Sequence, residues 1–143
     1  MREVSCRLEG RRYRLPIAVL RPGPVVDLTS FAAIALLDTG ATTSGIGPRV
    51  IESLGLHSYG KKLLRSASDE VFVSYFLFRI GFYSDEQIAN PAPPADDLPF
   101  TFEETDGFSW RRPADFDVIL GMDVLSQCDV SLDRTGKCRI RFG

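Results

Sequence analysis

The chain has 143 residues, 44% hydrophobic and 25% charged, and its 17 Lys+Arg against 19 Asp+Glu leave a net charge of -2. That suits one domain spanning residues 1–143, with enough chain to bury a core, and it sets up no field that would recruit nucleic acid. No apolar stretch approaches the roughly 20 residues of a membrane helix, and Met1-Arg2-Glu3 leads into no signal-peptide core.

Three cysteines (Cys6, Cys128, Cys138) with no C-x-x-C argue against a disulfide framework and for reduced, cytoplasmic thiols. A single histidine, His57, removes most schemes that pair His with Ser or Cys.

In chain order, Arg2–Leu8 and Arg12–Leu20 read as strands around a Glu9-Gly10 turn, the second covered on both faces near Ile17–Leu20. Phe31–Leu37 is a continuous apolar run ending at Asp38, the pattern of a buried strand. Pro48–Leu54 predicts a short helix, with Pro at its start, Gly55 at its stop, and Val50, Ile51 and Leu54 facing inward. Lys61–Ala67 and Glu70–Phe82 form a second hairpin around Ser68-Asp69, its later arm rich in Phe and β-branched residues. Asn90 to Pro99 turns to Pro, Ala and Asp, so it reads as an extended surface loop inside a longer insertion, residues 83–116. Asp117–Leu120 is another buried strand, followed by a Met122–Gln127 helix, and Val130–Leu132 with Cys138–Phe142 closes the chain as a hairpin. The class is mainly β with one or two short helices.

Two stretches carry chemistry. Leu36-Leu37-Asp38-Thr39-Gly40-Ala41 places a carboxylate directly after a buried strand, where an unpaired charge costs several kcal/mol, on the order given for desolvated ions. Backbone N–H groups, a hydroxyl or a shared proton must stabilise Asp38. Val118-Ile119-Leu120-Gly121 is a second buried strand, ending at a glycine that permits close packing before a helix.

In this order the two stretches resemble the motifs of the retropepsin-like aspartic proteases, the single-domain relatives of pepsin. The resemblance implies a closed β-barrel or sandwich of the acid-protease fold, with Lys61–Phe82 as its flap hairpin. It implies that Asp38, Thr39 and Gly40 are catalytic, and that Ala41, Ser66, Ala67, Ser68, Ile119, Leu120 and Gly121 bind substrate. Aspartic proteolysis needs two carboxylates sharing one proton, and the chain holds a single Asp-Thr-Gly. The second Asp38 must therefore come from another copy, in a homodimer with a two-fold axis through the site. Thr39 would then cross-link the two loops, and the strands near Arg2–Leu8 and Cys138–Phe142 are candidates for an interchain sheet. The implied substrate is an extended peptide. Water is the nucleophile, so no metal or organic cofactor is implied, nor any nucleic-acid or membrane partner.

The sequence departs from the retroviral pattern in three places. The flap tip, Arg65 to Glu70, lacks glycine. Met122 stands where an Arg is usual, and Thr42 and Thr43 where its acidic partner would be. The Tyr83–Phe116 connection is longer than the minimal one. The alternative reading is a catalytically silent module that keeps the fold for dimerisation or peptide binding.

Plainer readings stand beside these. An Asp-x-Gly is also a common surface turn. Residues 38–44 look like the phosphate loop of the actin and hexokinase class, but that fold needs far more chain. His57 reads as a solvated loop residue, Cys128 and Cys138 as small core residues, and Arg2, Arg7, Arg11, Arg12 and Arg14 as a solvated strand face. Trp110, Arg111 and Arg112 fit either a peptide groove or a surface loop.

Overall fold

Gly10 reverses the chain at φ 65°, directly after strand β1 (Arg2–Glu9), and β2 (Arg12–Leu20) returns with Glu9 opposite Arg12. Gly10 supplies the positive φ and Arg11 does not, the pattern of a type II′ hairpin turn. The computed structural model describes residues 1–65, 68–90 and 98–143. Ser66, Ala67 and residues 91–97, which include most of the Pro-rich stretch, lie outside them.

β3 (Ser30–Leu37) pairs antiparallel with β2 through seven register positions, Arg14↔Leu36 to Leu20↔Ser30. It pairs parallel with β9 (Val118–Leu120) on its other side. β4 (Gly45–Ile46) joins β9 to β8 (Thr105–Ser109), and β8 joins β6 (Glu70–Phe82). The last residues of β6 then pair back onto β2, Ile17↔Phe82 to Leu20↔Arg79. Strands β2, β3, β9, β4, β8 and β6 thus close into a ring. There β2 has a strand on each edge, and Ile17, Ala18, Val19 and Leu20 are all buried, which requires cover on both faces of the sheet.

The first half of β6 runs beyond the ring and pairs with β5 (Gly60–Arg65), so this hairpin projects from the body. Helix α1 (Pro48–Leu54) begins and ends where Pro48 and Gly55 place it, with Gly55 left-handed at φ 61°. Val50 and Leu54 are buried, and Ile51 packs partly buried against the core. On the other side of the body, β11 (Lys137–Phe142) lies between β1 and β10 (Asp129–Leu132). The Cys138–Phe142 segment is therefore an interior strand, not an outer one. Among the described residues nothing pairs with the far edge of β10.

The 83–116 stretch is more than a loop insertion. It contains a short helix, α2 (Asp85–Ala89), capped reciprocally by Ser84 and Gln87, a two-residue strand β7 (Phe100–Thr101) on β6, and β8 inside the ring. β8 escapes a propensity reading because Asp and Gly are poor strand formers. It forms because Gly107 admits its neighbours: a Cβ there would lie 2.4 Å from Ser44 O and 2.7 Å from the Phe78 ring.

The core is aromatic and branched. Phe82 meets Phe102 and Phe142 edge-on at 5.0 and 5.3 Å, geometry that favours ring pairs beyond simple burial. Arg79, a charge within the apolar run, is buried in β6. Its guanidinium donates to Arg21 O and Asp27 O, both at 2.6 Å, and so pins the loop between β2 and β3. Among the described residues, no helix is long and apolar enough to cross a membrane.

Candidate active site

Asp38 follows the last residue of β3, and its N–H donates to Leu120 O at 3.0 Å, prolonging the pairing with β9 by one step. The chain then folds back on the carboxylate. Gly40 N–H donates to Asp38 Oδ1 at 2.9 Å, and Ala41 N–H donates to Asp38 O at 3.2 Å. Asp38 is half-buried, while Thr39 and Gly40 are exposed. The carboxylate is thus held by one backbone donor at the end of β3, with its surroundings open enough for a reactant to approach.

Gly121 closes β9 against the same loop. A Cβ there would sit 2.6 Å from Thr43 C, 2.7 Å from Thr43 O and 2.9 Å from Ala41 O, all of them backbone atoms. Helix α3 (Met122–Leu125) follows, and Met122 N–H donates to Ala41 O at 2.8 Å. The loop after Asp38 and the turn at Gly121 are therefore in van der Waals contact and hydrogen-bonded in both directions.

A polar cluster that the sequence reading missed fastens this junction. Asp123 Oδ1 accepts from Ser44 Oγ at 2.7 Å and from Val124 N–H at 2.9 Å. Its Oδ2 accepts from Ser44 N–H at 2.9 Å and from Thr105 Oγ1 at 3.3 Å. Ser44 Oγ, fully buried, in turn accepts from Gly121 N–H at 3.0 Å. The Arg–acid pair of the retroviral pattern is absent here, and this carboxylate–hydroxyl cluster joins the same two loops. The one available signal was an Asp two residues after the motif glycine, at the start of a helix, where an anion is favoured.

The other expected site residues divide. Ala41 sits in the loop beside Asp38, and Ile119 is partly exposed on β9. Leu120 is fully buried, so its side chain belongs to the core and its carbonyl to the Asp38 loop. Ser68 is exposed at the hairpin tip, whereas Ser66 and Ala67 fall outside the described residues. Trp110 is partly buried against Gly47 and Phe116, its ring centroid 5.5 Å from that of Phe116. It also lines a cavity of about 480 Å³ with Leu64, Phe72, Val73 and Phe108, and Lys61 and Arg111 are among its polar residues. His57 is exposed after α1.

The hairpin is tethered at its base. Lys62 Nζ donates to Asp106 Oδ2 at 2.7 Å, and Tyr59 OH donates to Asp106 Oδ1. Burial pushes the Asp106 carboxyl up, but the bonds from Lys62 and Tyr59 outweigh it and hold it below the usual range. The same bonds hold Lys62 above its usual range. Among the described residues, no three His, Cys, Asp or Glu side chains are grouped as a metal site would need.

A mainly β ring with a projecting hairpin, and with an Asp-Thr-Gly loop braced against a strand-ending glycine, is a retropepsin-like fold. Among solved structures the chain is similar to a retropepsin-like aspartic protease from Rickettsia conorii, with a TM-score of 0.61 over 98% of this chain and 90% of that one. Identity over that match is 12%, so the likeness is one of fold. No family model matches the sequence, and no curated protein does.

Proposed function

We propose that the chain is a cytoplasmic aspartic endopeptidase, active as a homodimer in which two Asp38 carboxylates share a proton and activate one water. The observation that carries this reading is the Asp38 loop itself: a half-buried carboxylate at the end of β3, held by Gly40 N–H and braced to the Gly121 turn. One carboxylate of the pair takes a proton from water, and the other protonates the scissile carbonyl. Thr39, exposed beside Asp38, is free to bond across to the second copy.

The substrate is an extended peptide lying between this floor and the β5–β6 hairpin, bound largely through its backbone. The hairpin supports this, because Phe72, 70% exposed, and Leu63, 38% exposed, sit opposite each other on its two strands. The cavity beside Trp110 would take an apolar side chain of the peptide. The open edge of β10, with Leu132 60% exposed, offers backbone donors and acceptors to a second copy.

The test is cleavage of a fluorogenic peptide library by the wild-type chain and by Asp38→Asn. Cleavage should vanish in the variant while its circular dichroism and sedimentation stay unchanged, and wild-type specific activity should fall on dilution through the dimer dissociation constant. Parent-rate cleavage by Asp38→Asn would make Asp38 a structural turn residue. Activity from a strict monomer would remove the need for a second Asp38. Binding of a transition-state inhibitor such as pepstatin, with no turnover of any peptide, would assign the silent peptide-binding role instead.

A further inference from the structure

β1 and β11 run antiparallel, and their register sets Cys6 directly opposite Cys138. Both side chains leave the sheet on the face that carries buried Val4 and Ile140, two positions away on each strand. Leu8 N–H donates to Gly136 O at 2.7 Å, two positions the other way. Cys6 and Cys138 therefore form a hydrogen-bonded pair in the ladder, where opposite Cα atoms lie about 5.5 Å apart. That lies inside the roughly 4.4–6.8 Å that disulfides span, and closing the Cβ atoms from about 5.5 Å to the required 3.5–4.5 Å draws the two strands together only locally.

The surroundings permit chemistry at this pair. Cys138 is fully buried and Cys6 half-buried, so a reagent in solution meets Cys6 first. The two thiols face each other across the ladder, and that pairing pushes Cys6 up and holds Cys138 down. The pair thus gives up its first proton more readily than its second and titrates as a unit. β1 meets β2 only at Leu8↔Tyr13 and Glu9↔Arg12, so its hold on the body runs chiefly through β11.

We propose that Cys6 and Cys138 are a redox modification site, closing to a reversible cross-strand disulfide that joins the first and last strands. The oxidant is a low-molecular-weight disulfide such as oxidised glutathione. Cys6, the accessible sulfur, attacks one sulfur of the reagent as its proton passes to the Cys138 thiolate opposite, and the reagent's S–S bond breaks and releases the first thiol. Cys138 then attacks the Cys6 sulfur, forming the protein disulfide and expelling the second thiol. Two cysteines lose two electrons and two protons, and the reagent takes up both as two thiols. Cys128 lies elsewhere, bonded to Val124 O at 3.7 Å, and burial with the Asp129 charge raises its thiol to about 11. It serves as an internal control. None of this rests on the protease reading.

The experiment equilibrates the full chain, folded, in a graded series of oxidised and reduced glutathione, followed by alkylation and intact-mass and peptide mapping. The expected result is loss of two hydrogens, a linked Cys6–Cys138 peptide, one alkylated thiol at Cys128, and full reversal by dithiothreitol. Cys128→Ser should form the same bond, and Cys6→Ser should form none. Three alkylatable thiols at the most oxidising poise would overturn the proposal, as would arrest at a glutathione adduct on Cys6 or a bond involving Cys128. Because Cys128→Ser leaves the pair untouched, misfolding of a Cys138→Ser variant leaves the test intact.

Discussion

Asp123→Asn is nearly isosteric, yet it should be costly, because each carboxylate oxygen of Asp123 accepts from a backbone N–H. Oδ1 serves Val124 N–H and Oδ2 serves Ser44 N–H. An asparagine must point its NH2 group at one of them. Thr105 Oγ1 and Ser44 Oγ are rotatable and can exchange donor for acceptor, but the backbone amides cannot. Whichever way the amide turns, one N–H of a buried residue, Ser44 or Val124, faces another donor. A hydrogen bond to a charged group contributes about 1.5–3 kcal/mol, and a stranded buried donor costs about 1–3 kcal/mol. The two overlap at one atom, so the expected loss is about 2–3 kcal/mol, equivalent to a fall in Tm of about 5–10 °C for a chain of this size. Asp123→Ala strands all four donors and should cost more. The assay is urea unfolding at fixed protein concentration, read as a shift in midpoint at constant slope. An Asp123→Asn midpoint within error of wild type would refute the reasoning, since it would mean that water or relaxation replaces the lost acceptor freely.

Gly121→Ala should destabilise by about 1–3 kcal/mol, as overpacking does, because its Cβ meets only backbone atoms of Ala41 and Thr43, the nearest at 2.6 Å. Gly40→Ala should cost less, since its nearest contact is the movable Asp38 Oδ1 at 3.2 Å; an equal loss in urea titrations of the two variants would contradict this ordering. The tether at the hairpin base should respond to pH. Asp106 is held below its usual range, so its contribution is fully present above the ordinary Asp range and disappears as pH falls through the lowered value. Lys62 is held above its usual range, so on the alkaline side the contribution persists until pH rises through that raised value. Amide exchange in β5 should therefore separate wild type from Asp106→Asn at neutral pH and converge in strong acid, and a gap that persists in acid would locate the tether elsewhere.

Much of this protein follows from short-range chemistry. Pro48 and Gly55 delimit α1, Gly10 shapes the first hairpin, and the apolar run into Asp38-Thr39-Gly40 places a carboxylate at a strand end. Each of these depends on dihedral preference, capping or alternation over a few neighbouring residues, which a linear sequence displays directly. The retropepsin-like fold was legible for the same reason, since two short motifs each end a strand, although β3 alternates buried and exposed residues where its apolar run reads as buried throughout. What surrounds the candidate site was not legible. Asp123 reaches Ser44 across 79 residues of chain, and β8 enters the ring only because Gly107 clears space for Ser44 and Phe78. Arg79 becomes a buried clasp because two carbonyls of a distant loop turn toward it. Cys6 and Cys138 have unrelated spacings until the β1–β11 register sets them face to face. Such pairings depend on how the sheet closes, and closure is a property of all the strands together. Local residue types therefore determined where the carboxylate and its glycines stand, and only the tertiary structure decided what braces them, because the bracing groups are far apart in the chain.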